Sequence, residues 1–374
     1  MPPLETVWFL LVGVLLAGYA ILDGFDLGVG MLHTRVTKDE AERRQVVNAI
    51  APVWDGNEVY LLLGGGAIFG AFPRVYATVF SGFYVALILL LAALIVRAVC
   101  LEFRGKLPGS RWRGTWDWAF AISSFLASLL FGVALGNILH GVPLDAEQEY
   151  AGTFLGLLNP FSLLVGVTTV ALFLMQGAAW LNLKTEGELR ERARARAKAA
   201  WLVLLVLWLA TTIASRFAAP RLWQAYANPL AWAAPLLFLA AMAAFRALLD
   251  RGRPALAMLA SSAATAMLMA VVGQGLYPDL VPARGMGESL TVANASSTPL
   301  ALTVMLVIAL VGLPIVLGYT VWIYSRFRGP VRLECLNAGH RSTRTAYRTM
   351  RHASRPVWRV VGGDQARSHV PVRP

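Results

Sequence analysis

Long apolar runs recur along almost the whole chain, and nothing in the sequence restricts its fold more. Runs of 18 or more residues are long enough, at about 1.5 Å per residue, to cross a hydrocarbon core about 30 Å thick. Nine such spans are predicted, over about 7–32, 47–70, 75–100, 115–139, 159–183, 199–219, 228–249, 255–277 and 299–325. No segment between them is long enough for a soluble domain. The expected fold is therefore an all-α integral membrane protein. Residues 1–325 form the polytopic domain, and a basic tail over 326–374 has too little apolar content to fold alone and is expected to be disordered.

Composition agrees, with 57% hydrophobic residues, 14% charged residues and 12 Trp. The net charge of +12 does not indicate nucleic acid, because the cations fall in loops and a tail beside membrane spans. All 33 Lys and Arg are assigned to loops or termini, 29 of them on one side. The positive-inside rule then places the N-terminus outside, in the periplasm, and the C-terminus in the cytoplasm. The first run lacks a basic n-region and carries two Asp, so it is expected to be retained as a span and not cleaved. The two cysteines, Cys100 and Cys335, make neither a disulfide framework nor a thiolate metal site.

Against this apolar background, four carboxylates stand out. Asp23 and Asp26 lie in the first span, and Asp55 and Glu58 in the second, each pair spaced i, i+3 and so on one helix face. An acid at the centre of a membrane helix costs about 2.5–3.5 kcal/mol, which partners or water must offset. Asp26 lies about 9 Å before the cytoplasmic end of its span and Asp55 about 12 Å above the start of its own. Two antiparallel neighbours would thus gather Asp23, Asp26, Asp55 and Glu58, with Trp54, Asn57 and Tyr60, in a cluster open to the cytoplasm. Intramembrane acids commonly act as proton relays or cation sites, and Asp55 is the leading relay residue. The competing reading is a structural hydrogen-bonding knot, which Asp23, beside its glycines, suits better. Asp117 is read either as a supporting acid or as a favourable charge at the N-terminus of the fourth span.

Other features have simpler readings. Gly13, Gly18, Gly24, Gly28, Gly30 and the run Gly64-Gly65-Gly66 let helix backbones approach. Pro52 is tolerated near a helix start, and Pro314 is expected to kink the ninth span. The 140–159 loop reads as solvated and acidic, and 184–198 as a basic helical extension among anionic headgroups. In the 277–298 loop, Ser and Thr are expected to cap the last helix.

Catalytic apparatus is missing. The histidines, His33, His140, His340, His352 and His369, all lie outside the middle of the spans. Membrane haem needs inward-facing axial ligands, and Met267 and Met269 read as packing residues. The chain is expected to bind no haem itself. No Walker motif, dinucleotide fingerprint or Ser-His-Asp arrangement is present.

Several motifs resemble subunit II of the cytochrome bd-type quinol oxidases, including their cyanide-insensitive branch. They are Leu22-Asp23-Gly24-Phe25-Asp26-Leu27-Gly28-Val29-Gly30, Ala51-Pro52-Val53-Trp54-Asp55-Gly56-Asn57-Glu58-Val59 and Phe80-Ser81-Gly82-Phe83-Tyr84. Trp116-Asp117-Trp118, Gly136-Asn137, Gly141-Val142-Pro143 and Leu158-Asn159-Pro160-Phe161 continue the match. The resemblance implies two four-helix bundles and one peripheral helix, in the bacterial inner membrane. It implies a heterodimer with a subunit I that carries two haem b, one haem d and the quinol-oxidising loop, while small accessory subunits stay open. The complex would oxidise quinol, reduce dioxygen to water and draw its protons from the cytoplasm. Asp55 would match the family acid implicated in a proton pathway near the subunit interface, and Asp26 the second acid of Asp-Gly-Phe-Asp. Some members also hold a quinone in this subunit, although no motif here fixes its contacts. Asn294 stands where the family often has Asp, so no charge-dependent role is carried there. Two alternatives remain: a proton- or cation-coupled secondary transporter, and a purely structural scaffold within the oxidase.

Overall fold

The computed structural model describes residues 3–331 apart from 108 and 286, so nearly all of the basic tail, with Cys335, His340, His352 and His369, lies outside the described residues. Eleven α-helices follow in order: α1 (Leu4–Val36), α2 (Glu40–Ile50), α3 (Trp54–Ala71), α4 (Pro73–Gly82), α5 (Tyr84–Phe103), α6 (Ser110–His140), α7 (Pro160–Lys184), α8 (Gly187–Ala218), α9 (Ala233–Asp250), α10 (Pro254–Leu276) and α11 (Pro299–Arg326). Two short antiparallel strands, β1 (Asp279–Val281) and β2 (Leu290–Thr291), lie between α10 and α11. Among the described residues, eight helical segments are long and apolar enough to cross a membrane, and the count reaches nine if α3 and α4, bent by 119°, are taken as one broken span.

The expected span over 47–70 is in fact two helices. Pro52 lacks the N–H that would continue the ladder, and the chain leaves helical geometry at Val53 before α3 starts at Trp54. What precedes is α2, an amphipathic helix whose N-cap Asp39 accepts from the Glu42 N–H at 2.9 Å. The 75–100 span is likewise divided. Pro73 starts α4, where a missing donor costs nothing, and a break at Phe83 separates α4 from the spanning helix α5.

Helix α1 is the hub, touching α3, α6, α7 and α10. Its closest approach is to α7, where Gly28 meets Gly177 and a side chain on either would collide with the other helix's backbone. Helix α6 also packs on α5 and α7, α7 on α8, and α9 on α10. Helix α11 is peripheral: Leu302 is its one buried residue. It runs unbroken through Pro314, and Thr298 caps it by accepting from the Ala301 N–H at 3.3 Å.

At one end of the helices, the 140–159 and 277–298 loops fold onto each other. Val142 pairs with Ala283, and Val142, Leu144, Leu157, Val281 and Leu290 share a buried cluster. The first loop is thus more than a solvated acidic strap. At the other end, the 184–198 stretch is helical from Gly187 onward, and Arg192 ties it to α1 and α2 through the Val36 carbonyl at 2.8 Å and the Glu42 carboxylate.

Candidate functional site

From Asp23 to His33, every residue of α1 is buried, because α6 and α7 close on it where glycines leave room. The two acids of this helix therefore face protein and not lipid. Both are fully buried, yet their partners differ.

Asp23 forms a two-pronged ion pair with Arg97 of α5, Nη1 donating to Oδ2 at 2.7 Å and Nη2 to Oδ1 at 2.5 Å. Arg97 is itself fully buried, and its Nη2 lies 3.8 Å from Glu58 Oε1. This corrects the assignment of every Lys and Arg to a loop or terminus: Arg97 sits inside a spanning helix, as the counter-ion of the buried acids.

Asp26 meets a neutral partner. Asn57 Nδ2 donates to Asp26 Oδ2 at 2.7 Å and to the Leu22 carbonyl at 3.2 Å. Tyr324 of α11 donates in turn to Asn57 Oδ1 at 3.0 Å. The other oxygen, Asp26 Oδ1, is buried with no hydrogen-bond partner among the described residues. Tyr60 joins the same wall through a 3.1 Å bond between its hydroxyl and that of Thr320.

The structure brings Asp23, Asp26, Glu58, Asn57 and Tyr60 together but leaves Asp55 and Trp54 out. Asp55 is exposed and has no hydrogen bond or ion pair among the described residues. The reason is helical phase. The buried stripe of α3 is Asn57, Tyr60, Gly64, Ala67 and Ala71, and Asp55 lies two residues, about 200°, from Asn57. Glu58 sits at the stripe's edge with 24% of its side chain exposed.

Asp117 belongs to a second network. Helix α6 begins at Ser110, so Asp117 is two turns inside it and is no N-terminal cap. It accepts from His33 Nε2 at 2.9 Å, Arg104 Nε at 2.5 Å and Arg43 Nη1 at 3.2 Å. Arg104 continues to Glu40 of α2 at 2.9 Å, which Arg113 also reaches at 2.9 Å. Burial pushes the Glu40 carboxyl up, but hydrogen bonds and charge from Arg104 and Arg113 outweigh it and hold Glu40 below the usual carboxylate range. No group of three or more potential metal ligands occurs among the described residues.

Arg97, Tyr324 and His33 escaped the sequence reading as site residues. Arg97 carried a visible signal, being apolar-flanked on both sides within Leu94-Ile95-Val96-Arg97-Ala98-Val99. Tyr324 carried none, since its role depends on where α11 lies.

Residues 4–327 match the family model for cytochrome bd terminal oxidase subunit II. The chain is 40% identical over 378 residues to the cytochrome bd-I ubiquinol oxidase subunit 2 of Escherichia coli (strain K12), covering 92% of this chain and 98% of that one. This chain belongs to the cytochrome bd oxidase subunit II family. The cytochrome bd ubiquinol oxidase subunit 2 of Bacillus subtilis (strain 168) is 36% identical over 331 residues, covering 88% and 97%. A chain of the bd oxidase structure from Geobacillus thermodenitrificans shares the fold, with a TM-score of 0.73 at 19% identity, covering 87% of this chain and 98% of that one. Subunit II is thus a multi-pass membrane component of an oxidoreductase complex, and its buried network lies in a respiratory-chain protein.

Proposed function

We propose that this chain is the haem-free subunit II of a quinol:oxygen oxidoreductase in the bacterial inner membrane, paired with a haem-bearing subunit I that it stabilises. In this reading α1, α3, α5 and α6 form one four-helix bundle, α7 to α10 a second, and α11 lies beside them. The excess of Lys and Arg in alternate loops supports a cytoplasmic C-terminus.

The observation that carries a proton role is Asp26: fully buried, bonded through one oxygen to a neutral amide, with its other oxygen unpartnered among the described residues. Such a group has an oxygen on which a proton can be held and released, whereas both oxygens of Asp23 are occupied by Arg97. Asp23 and Arg97 hold the site's shape, Asn57 and Tyr324 orient Asp26, and Glu58 connects the interior to the acidic edge of α3. Asp55 then marks the face that subunit I covers, because a carboxylate turned to lipid is costly.

One feature supports a haem-free chain: both ring nitrogens of His140 are engaged, Nδ1 with the Ala218 carbonyl at 2.7 Å and Nε2 with Arg284. In this reading quinol supplies the electrons, and the haems of subunit I would carry them to dioxygen.

The test is to purify the tagged chain from its own membranes and record a reduced-minus-oxidised absorption spectrum. A second large subunit with haem b and haem d bands is expected. A haem-free preparation without a partner would overturn the proposal.

A further inference from the structure

A small polar cavity of about 190 Å³ lies where the end of α7, the start of α8 and the α9–α10 turn meet, and none of the buried acids lines it. It is lined by Asn182, Arg190, Glu191, Arg194, Leu249 and Gly252. Three of these carry side-chain donors left wholly or partly unbonded among the described residues. Asn182 is only 4% exposed, yet its side chain makes no hydrogen bond among the described residues. The Nε of Arg194 is buried with no hydrogen-bond partner among the described residues, while its Nη2 is anchored on the Asp250 carbonyl at 2.9 Å. Arg190 forms no hydrogen bond or ion pair among the described residues.

The nearby acids do not satisfy these donors. Glu191 lies 3.7 Å from Arg194 Nη1, but 68% of its side chain is exposed. Asp250 is taken by Lys198 at 2.5 Å and Arg246 at 3.0 Å. Two guanidinium groups and a buried amide therefore line one small cavity, with Glu191 its one acidic lining residue. Buried polar groups are normally satisfied, and the partner that fits these donors is an oxyanion with several acceptor oxygens.

We infer that this cavity is a phosphate-binding subsite, suited to the headgroup of an anionic phospholipid. Position favours the lipid source. The cavity lies at the same end of the helices as α2 and the basic start of α8, and basic pockets between spanning helices are where anionic headgroups bind. Arg194 is held ready by Asp250, Arg190 supplies the second fork, and the Asn182 amide closes the inner wall. A phosphodiester seated there would link the α7–α8 hairpin to the α9–α10 hairpin.

Arg190 is the cleanest handle, because its replacement breaks no hydrogen bond or ion pair among the described residues. The test uses the purified full-length chain in its native complex, stripped of lipid in detergent. Its melting temperature is titrated against dioleoylphosphatidylglycerol, inorganic phosphate and dioleoylglycerol, which has no phosphate. Phosphatidylglycerol is expected to raise the melting temperature, dioleoylglycerol to leave it unchanged, and Arg190→Gln to weaken the response about tenfold or more, as loss of a charge-assisted hydrogen bond does. A rise with inorganic phosphate alone, equally weakened by Arg190→Gln, supports the subsite and makes free phosphate its occupant. The inference is overturned if neither phosphate compound shifts the melting temperature, if dioleoylglycerol acts as well as phosphatidylglycerol, or if Arg190→Gln responds like the parent.

Discussion

Asp23 and Asp26 sit one turn apart on α1 and are equally buried, yet one is bonded to a cation and the other to an amide. That difference gives each its own mutational signature. Arg97→Gln strands a buried acid, which costs about 3–5 kcal/mol when one member of a buried pair is removed. The purified complex should melt markedly lower, and adding Asp23→Asn should recover part of the loss; an unchanged melt in the single variant would refute the pairing. At the rim of the second network, Glu40 predicts a pH effect. Arg104 and Arg113 hold its carboxyl below the ordinary 4.5, so the unfolded chain takes up this proton at higher pH than the folded one. The stabilisation is fully present above about pH 4.5 and is lost as pH falls through the lower folded value. Glu40→Gln should therefore flatten the acid limb of melting temperature against pH, and an identical limb would count against the cluster.

Element by element, the spans were legible because hydropathy and length act through the whole run. Their interruptions depended on single residues: Pro52 separates α2 from α3, and Phe83 separates α4 from α5. The depth match between α1 and α3 was also legible, since Asp26 does reach α3, though it meets Asn57 there and not Asp55. What failed was helix phase. Asp55 and Glu58 advertise themselves by charge, whereas the stripe that turns inward is marked only by Asn57, Tyr60, Gly64 and Ala67. The glycines of α1 divide in the same way. A side-chain carbon on Gly28 would run into the Phe173 carbonyl and fall 2.8 Å from the Gly177 nitrogen, whereas one on Gly13 would meet nothing within 4 Å. Gly28→Ala should destabilise the complex by about 1–3 kcal/mol or more, since backbone cannot step aside, and Gly13→Ala should be silent. Equal melting temperatures for the two variants would contradict the α1–α7 crossing.

At the scale of the whole molecule, the apolar exterior of α5, α8, α9 and α11 meets lipid or protein, and Asp55 singles out the face of α3 as one that lipid does not suit. Membership of the oxidase family decides against the transporter alternative. It leaves open the choice between scaffold and relay, because both place acids inside the bilayer. Sequence could not separate them, since Arg97 and Asn57 assign the acids their different surroundings only once α1, α3 and α5 are assembled. The decisive measurement is quinol-driven oxygen consumption by the purified complex carrying Asp26→Asn. The replacement amide still accepts from Asn57 but cannot carry the proton. A relay predicts an assembled complex with unchanged haem bands and turnover reduced about tenfold or more. Parental turnover in that assembled complex would contradict the account and leave the network a structural one.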